Sequence, residues 1–92
     1  MTLIEIKYSS LFLQDLKKLK GTADFKRIHD FCFVEIETYE SIMDIPDFKK
    51  IKTFQYYFRK RIGNFRIGIK YKDNELVFMR VLNRKEIYRK FP

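Results

Sequence analysis

The sequence predicts an α+β fold in the order β-α-α-β-β-β, with a helical hairpin packed on one face of a small antiparallel sheet. Three observations predict it. Apolar residues recur every three or four positions as far as Tyr39, the period of a helix face. From Phe54 onward they recur every second position, the period of a strand with one buried side. Two pairs of turn residues, Gly63-Asn64 and Asp73-Asn74, punctuate that second stretch, and both pairs accept positive φ.

Each element has a local reason. Thr2–Lys7 alternates and is rich in β-branched residues, which reads as a short strand. Ser9 or Ser10 supplies an N-cap for the first helix. Phe12, Leu16 and Leu19 form its apolar face, and Lys17, Lys18 and Lys20 gather near the end where the helix dipole favours cations. Gly21 is expected to end this helix. Thr22 is expected to cap the second, whose stripe is Phe25, Ile28, Cys32, Ile36 and Tyr39. The short Gly-Thr link predicts that the two helices run antiparallel. Ile45-Pro46-Asp47 argues against a continuing helix, so residues 41–52 read as a connector. Phe54–Ile62, Asn64–Tyr71 and Leu76–Leu82 read as three successive strands, and Arg84–Pro92 as a basic tail with room for one helical turn.

Ninety-two residues predict a single domain over 1–92, with no room for a second domain holding a cofactor. Cys32 is the only cysteine, which excludes an internal disulfide framework and a cysteine-rich zinc site. No apolar run approaches the roughly 18 residues of a membrane span, and Met1–Glu5 does not read as a signal peptide. The expected address is the cytoplasm, with no membrane partner. Charge is more informative. Residues 1–44 hold six basic and eight acidic side chains, whereas residues 45–92 hold fourteen basic and four acidic, a net +10. The basic half also carries ten of the sixteen aromatic residues, and that combination fits a polyanion.

Turn geometry sharpens this. If Gly63 and Asn64 are the loop of a hairpin, Ile62 opposes Phe65, Arg61 opposes Arg66, Lys60 opposes Ile67 and Arg59 opposes Gly68. Opposed residues share a face, so Tyr57, Arg59, Arg61 and Arg66 project to one side. Phe54, Tyr56, Phe58, Phe65, Ile67, Ile69 and Tyr71 project to the helix-covered side. In the second hairpin Tyr71 opposes Leu76, which sends Phe78 and Leu82 to the core and Met79 and Val81 to the arginine face. Arg80 falls on the core parity, an awkward fit that suggests either a place near a sheet edge or a snorkelling side chain. The arginine face is expected to be free, with an unfilled spot at Gly68 where a ligand could reach the backbone. Guanidinium forks match phosphate in a bidentate way and keep their charge, so three arginines on one face point to phosphate. His29 reads as a solvent-facing helix residue and Cys32 as core. No Gly-rich phosphate loop, HExxH or Ser-His-Asp spacing occurs, so no metal or small-molecule cofactor is expected.

The run Tyr56–Ile69, followed by Arg80-Val81-Leu82-Asn83-Arg84-Lys85-Glu86-Ile87-Tyr88-Arg89-Lys90-Phe91-Pro92, resembles the RelE/ParE superfamily of type II toxin–antitoxin toxins, in its RelE-like branch. Ser9, Phe12 and Asp15–Leu19 fit the same pattern. The resemblance implies a RelE-like fold and an mRNA endonuclease acting in the A site of the 70S ribosome. It implies attack by the substrate's own 2′-hydroxyl, leaving a 2′,3′-cyclic phosphate, and silencing by a RelB-like antitoxin with an acidic segment. Carried over, the catalytic set is Arg59, Arg61, Arg66, Arg84 and Tyr88. The family's arginine six residues before the tyrosine is Leu82 here, and Arg84 is the nearest substitute. Lys50, Lys52 and Lys85 are read as RNA-binding cations. A general base is missing from this set: Lys60 has core-facing parity, and Lys85 and Glu86 both remain open. The alternative is the ParE branch, a non-catalytic inhibitor of DNA gyrase; retention of the arginines with Tyr88 favours the nuclease.

Overall fold

The computed structural model describes residues 4–92. Its elements are β1 (Glu5–Tyr8), α1 (Ser10–Lys17), α2 (Phe25–Phe33), two 3-10 turns (Glu35–Thr38 and Ile42–Asp44), β2 (Phe48–Lys50), β3 (Tyr57–Ile62), β4 (Phe65–Lys72), β5 (Glu75–Asn83) and α3 (Arg84–Lys90). The strands form one sheet in the order β1-β5-β4-β3-β2. The α+β order expected from the sequence is present, and β2 and α3 add to it. The sheet is mixed, because β1 runs parallel to β5 while the other pairs are antiparallel. A parallel pair needs a long connection, and everything from α1 to β4 supplies it. Thr2 and Leu3, assigned to the first strand, lie outside the described residues.

Ser9 starts α1: its Oγ accepts from Phe12 N at 3.1 Å and donates to Met79 O at 2.9 Å. The helix stops at Lys17 rather than at Gly21, because the Lys18 N–H tightens onto Asp15 O at 3.1 Å and turns follow. Thr22 Oγ1 donates back to Leu19 O at 2.8 Å, so it does not cap α2, which begins at Phe25. The second stripe continues past Phe33 only as a 3-10 turn carrying Ile36. Phe12, Ile28, Phe31, Cys32 and Ile36 pack on Ile67, Ile69, Leu76, Phe78 and Val81 of the sheet. The Tyr8 hydroxyl donates to Cys32 O at 2.6 Å and ties β1 to α2. Burial pushes that phenol up to about 12.

β1 covers β5 only from Glu75 to Phe78. Beyond that point α1 takes over the strand edge. Ser9 N donates to Phe78 O at 2.9 Å, and the Asp15 carboxylate accepts from Val81 N at 3.2 Å. The same carboxylate, on a residue only 6% exposed, receives Arg80 Nε at 2.7 Å and Nη2 at 3.0 Å. Arg80 therefore sits at the sheet edge, the first of the two placements its parity left open. A bulge accompanies this: Gly68 pairs with Arg80 but Ile69 pairs with Phe78, which leaves Met79 as an extra residue. The side-chain parity of β5 flips there. Val81 joins the helix-covered core and Leu82 turns to the opposite face, the reverse of the alternation read from sequence.

The opposite face is not free. Ile87 of α3 and Phe91 just beyond it cover part of it, against Ile51, Tyr57, Met79 and Leu82. The Phe91 ring lies over Gly68, where an added Cβ would come within 2.6 Å of it. The space the alternation left at Gly68 thus holds Phe91 rather than a ligand. At the other end of the hairpin, β3 begins only at Tyr57. Tyr56 has φ of 72°, which breaks the alternation, so Tyr56 and Phe54 are exposed instead of buried.

Asp15→Ala should lower the unfolding free energy by about 3 kcal/mol, because it strands both the Arg80 charge and the Val81 N–H; urea denaturation measures this. Gly68→Ala should cost about 1–3 kcal/mol through overpacking against Phe91, with the α3 amides losing hydrogen-exchange protection before those of β4.

Candidate active site

The register of β3 on β4 is the one the turn residues predicted: Ile62 with Phe65, Arg61 with Arg66, Lys60 with Ile67 and Arg59 with Gly68. Gly63 makes the turn at φ 56°, and a Cβ there would also meet the Asp24 carboxylate at 2.5 Å. The short hairpin fixes the arginines it carries. Arg66 Nη1 donates to Gly63 O at 3.0 Å and to Phe65 O at 2.9 Å, which aims its guanidinium along the turn. The Arg59 guanidinium carbon lies 4.4 Å from the centroid of the Tyr88 ring, and its Nε is buried without a hydrogen-bond partner among the described residues. Tyr88 is 60% exposed, so its ring meets Arg59 while much of its surface stays open.

Arg59, Arg61, Arg66 and Tyr88 line one cavity of about 290 Å³, and Lys50 borders it. Three further residues complete the wall: Asp47, Lys49 and Ile51. β2 brings them there, pairing Lys49 with Arg59 and Lys50 with Phe58. Asp47 stands just before β2 with a left-handed φ of 52°, and its carbonyl accepts from Arg61 N at 3.1 Å. Five cations thus surround one carboxylate. Among the described residues none of the five forms a direct ion pair with it. The cavity keeps an excess of positive charge, the condition for holding phosphate.

The structure does not bring the remaining expected residues into this cavity. Arg84 opens α3 with its N–H on Asn64 O at 3.0 Å. Together with Lys85, Glu86 and Arg89 it lines a separate groove of about 490 Å³. Side chains on a helix lean toward its N-terminus, so Arg84 leans onto the hairpin tip and Tyr88, one turn later, onto Arg59. Glu86 is engaged by Asn83 and Lys90. Lys52 is exposed beyond β2 and lines neither space. Lys60 lies on the core side, 6% exposed, with Nζ donating to Pro46 O at 2.7 Å. His29 is exposed on α2 between Phe25 and Phe33, and Cys32 is in the core.

Sequence reasoning missed Asp47, Lys49 and Ile51. The available signal was slight, since a three-residue edge strand following a proline has too few positions to show a period. Two lysines in so short a run are themselves an edge signature. Among the described residues no group of three or more His, Cys, Asp or Glu is arranged to hold a metal, and no helix is long and apolar enough to cross a membrane.

No family model matches the sequence. Toxin RelE3 of Methanocaldococcus jannaschii is 39% identical over 90 residues, covering 97% of this chain and all of the relative. The RelB-RelE antitoxin-toxin complex from Methanococcus jannaschii contains a chain that matches with a TM-score of 0.75, covering 94% of this chain and 99% of that one. The DinJ-YafQ toxin-antitoxin complex of E. coli shares the fold at a TM-score of 0.73 and 16% identity, covering 94% and 98%. The class that fold and similarity define is the small toxins of toxin–antitoxin systems. Within it, this chain belongs to the RelE toxin family.

Burial raises the Cys32 thiol well above its ordinary range, which removes thiolate at neutral pH. Alkylation by iodoacetamide at pH 8 should be on the order of 100-fold slower in the native protein than in urea, as followed by intact mass.

Proposed function

We propose that this toxin is a ribosome-dependent mRNA endonuclease, neutralised by an antitoxin protein. The observation that carries the reading is the convergence of Arg59, Arg61, Arg66 and Tyr88 on one cavity with an excess of positive charge. Guanidinium donors held in place before the reaction stabilise charge that develops on phosphorus oxygens, and each is typically worth about 100- to 1000-fold in rate. Arg66, braced on two hairpin carbonyls, is the best organised of the three.

The residues also suit the proton transfers. The 2′-hydroxyl gives its proton to a carboxylate as the 2′-O–P bond forms, and Asp47 is the carboxylate bordering the cavity. The P–O5′ bond then breaks, and the 5′-oxygen takes a proton from the Tyr88 hydroxyl. Proton exchange with solvent restores both groups. The products are a 2′,3′-cyclic phosphate and a 5′-hydroxyl, with atoms and charge balanced. The cavity is small and open, so bending the messenger into line for attack falls to the ribosome. The excess of cations around the cavity also fits an antitoxin that inhibits with an acidic segment laid across it.

Primer extension on messages in a translation extract tests this. Wild-type protein should cut ribosome-bound mRNA and leave naked RNA largely intact, while Arg61→Ala and Arg66→Ala should each slow single-turnover cleavage about 100-fold. Intact messages accompanied by gyrase-dependent DNA breaks would overturn the reading in favour of a ParE-like inhibitor.

A further inference from the structure

Lys60 is a buried cation on the wrong side of the sheet for the cavity, yet it touches the segment that delivers Asp47. Its Nζ donates to Pro46 O at 2.7 Å and lies 4.9 Å from the Phe31 ring centroid. A space of about 270 Å³ surrounds it, bordered by Arg27, Glu35, Asp47 and Arg61. Burial pulls the ammonium downward in pKa; Asp47 and Glu35 oppose that and Arg27 adds to it. An uncharged side chain of the same length would fill this position without that desolvation penalty, so the charged donor calls for a reason.

The reason lies in which atoms β3 holds. Successive residues of a strand face opposite ways, and here both act on the turn before β2. Lys60 takes the Pro46 carbonyl with its side chain, and Arg61 takes the Asp47 carbonyl with its backbone N–H at 3.1 Å. Each peptide unit is a rigid plane. Fixing the Pro46 oxygen fixes the plane entering Asp47, and fixing the Asp47 oxygen fixes the plane leaving it. The proline ring restricts the preceding φ as well. With both planes set, the left-handed φ of 52° is held and the Asp47 Cα–Cβ bond has one direction.

We infer that Lys60 is a positioning residue: from the core side of the sheet, through the Pro46 carbonyl, it holds Asp47 at the arginine cavity. This rests on the nuclease reading, and it makes a structural claim that stands apart from it. Released from Lys60, the Pro46–Asp47 peptide is free to rotate and the carboxylate leaves the wall of the cavity.

The test compares wild type with Lys60→Met, Lys60→Arg, Asp47→Asn and the double variant Lys60→Met/Asp47→Asn, using amide hydrogen exchange on the free protein and single-turnover cleavage on ribosomes. In Lys60→Met the Arg61 amide should exchange about 10-fold or more faster, while Ile67 and Ile69 amides keep their protection. Cleavage should fall about 10- to 30-fold with apparent ribosome affinity unchanged. Lys60→Arg keeps a charged donor and should recover most of both losses. The double variant should be no slower than Asp47→Asn alone. An unchanged Arg61 amide in Lys60→Met, or additive rate losses in the double variant, would overturn the proposal. If Lys60→Met does not fold, an Arg61 amide in Lys60→Arg that stays as exchangeable as after urea treatment, in an otherwise protected sheet, would equally overturn it. A wild-type protein that cuts no message defeats the nuclease reading alone, because the exchange of the Arg61 amide still decides whether Lys60 holds the turn.

Discussion

The Asp15 carboxylate joins the two layers of the molecule, and the geometry of the cavity depends on it at several removes. It supplies β5 with the acceptor that β1, four residues long, does not reach, and it neutralises Arg80 in the same place. Holding Val81 N at the edge goes with the bulge at Met79. The bulge sends Val81 into the core and turns Leu82, with Met79, to the far side. Those two residues, with Ile51 and Tyr57, make the apolar seat for Ile87 and Phe91. The seated helix then lays Tyr88 over Arg59. A buried ion pair is by itself weak evidence for stability, since desolvation offsets much of its attraction. Here it fixes register and parity.

What the sequence made legible, and what it did not, follows the range of the interactions involved. The β3–β4 hairpin was readable because two residues, Gly63 and Asn64, set the register, and a period of two carried it outward to Arg59 and Gly68. The parity of β5 was not readable beyond Phe78, because the bulge answers a contact with Asp15, 66 residues away from Val81. β2 has three residues and follows a proline, so no period could appear. The helix α3 has a local signal in the sequence. Asn83 accepts from Lys85 N and Glu86 N while its own amide reaches Glu86 Oε1 at 3.2 Å, a local cap written in the Asn-x-x-Glu spacing. Ile87 in the helix and Phe91 at its C-cap, four apart, are the buried pair.

The same logic separates the members of the site. Arg59, Arg61 and Arg66 came from strand alternation alone, and Tyr88 from family resemblance, and the structure brings all four to one cavity. Arg84 and Lys85 share α3 with Tyr88 but line a separate groove beside Asn64. The directly opposed Arg61 and Arg66 repel by up to about 1 kcal/mol. Part of that is met locally, since Arg66 spends donors on Gly63 and Phe65 carbonyls and Arg59 gains the face of an aromatic ring. An aromatic–guanidinium contact contributes about 0.5–1 kcal/mol at an exposed site. Repulsion and local compensation are of the same size, which leaves the cluster stable without an anion and still in excess of positive charge.

The division of charge along the chain becomes a division in space once the chain is folded. Residues 4–44, with two more acidic than basic side chains, build the edge strand β1 and the two helices that cover one face of the sheet, while the +10 half builds β2 to β5 and α3. The molecule is therefore a dipole as well as a cation. Near a polyanion it experiences a torque before it experiences contact, and that torque turns the strand side forward. Screening confines the effect to about 8 Å at physiological ionic strength, comparable to the thickness of one layer of side chains. Within that range a random collision is converted into an oriented one, and steering of this kind raises association rates by about 10- to 1000-fold. The segregation thus acts on the time taken to find a target, separately from the strength with which the target is held.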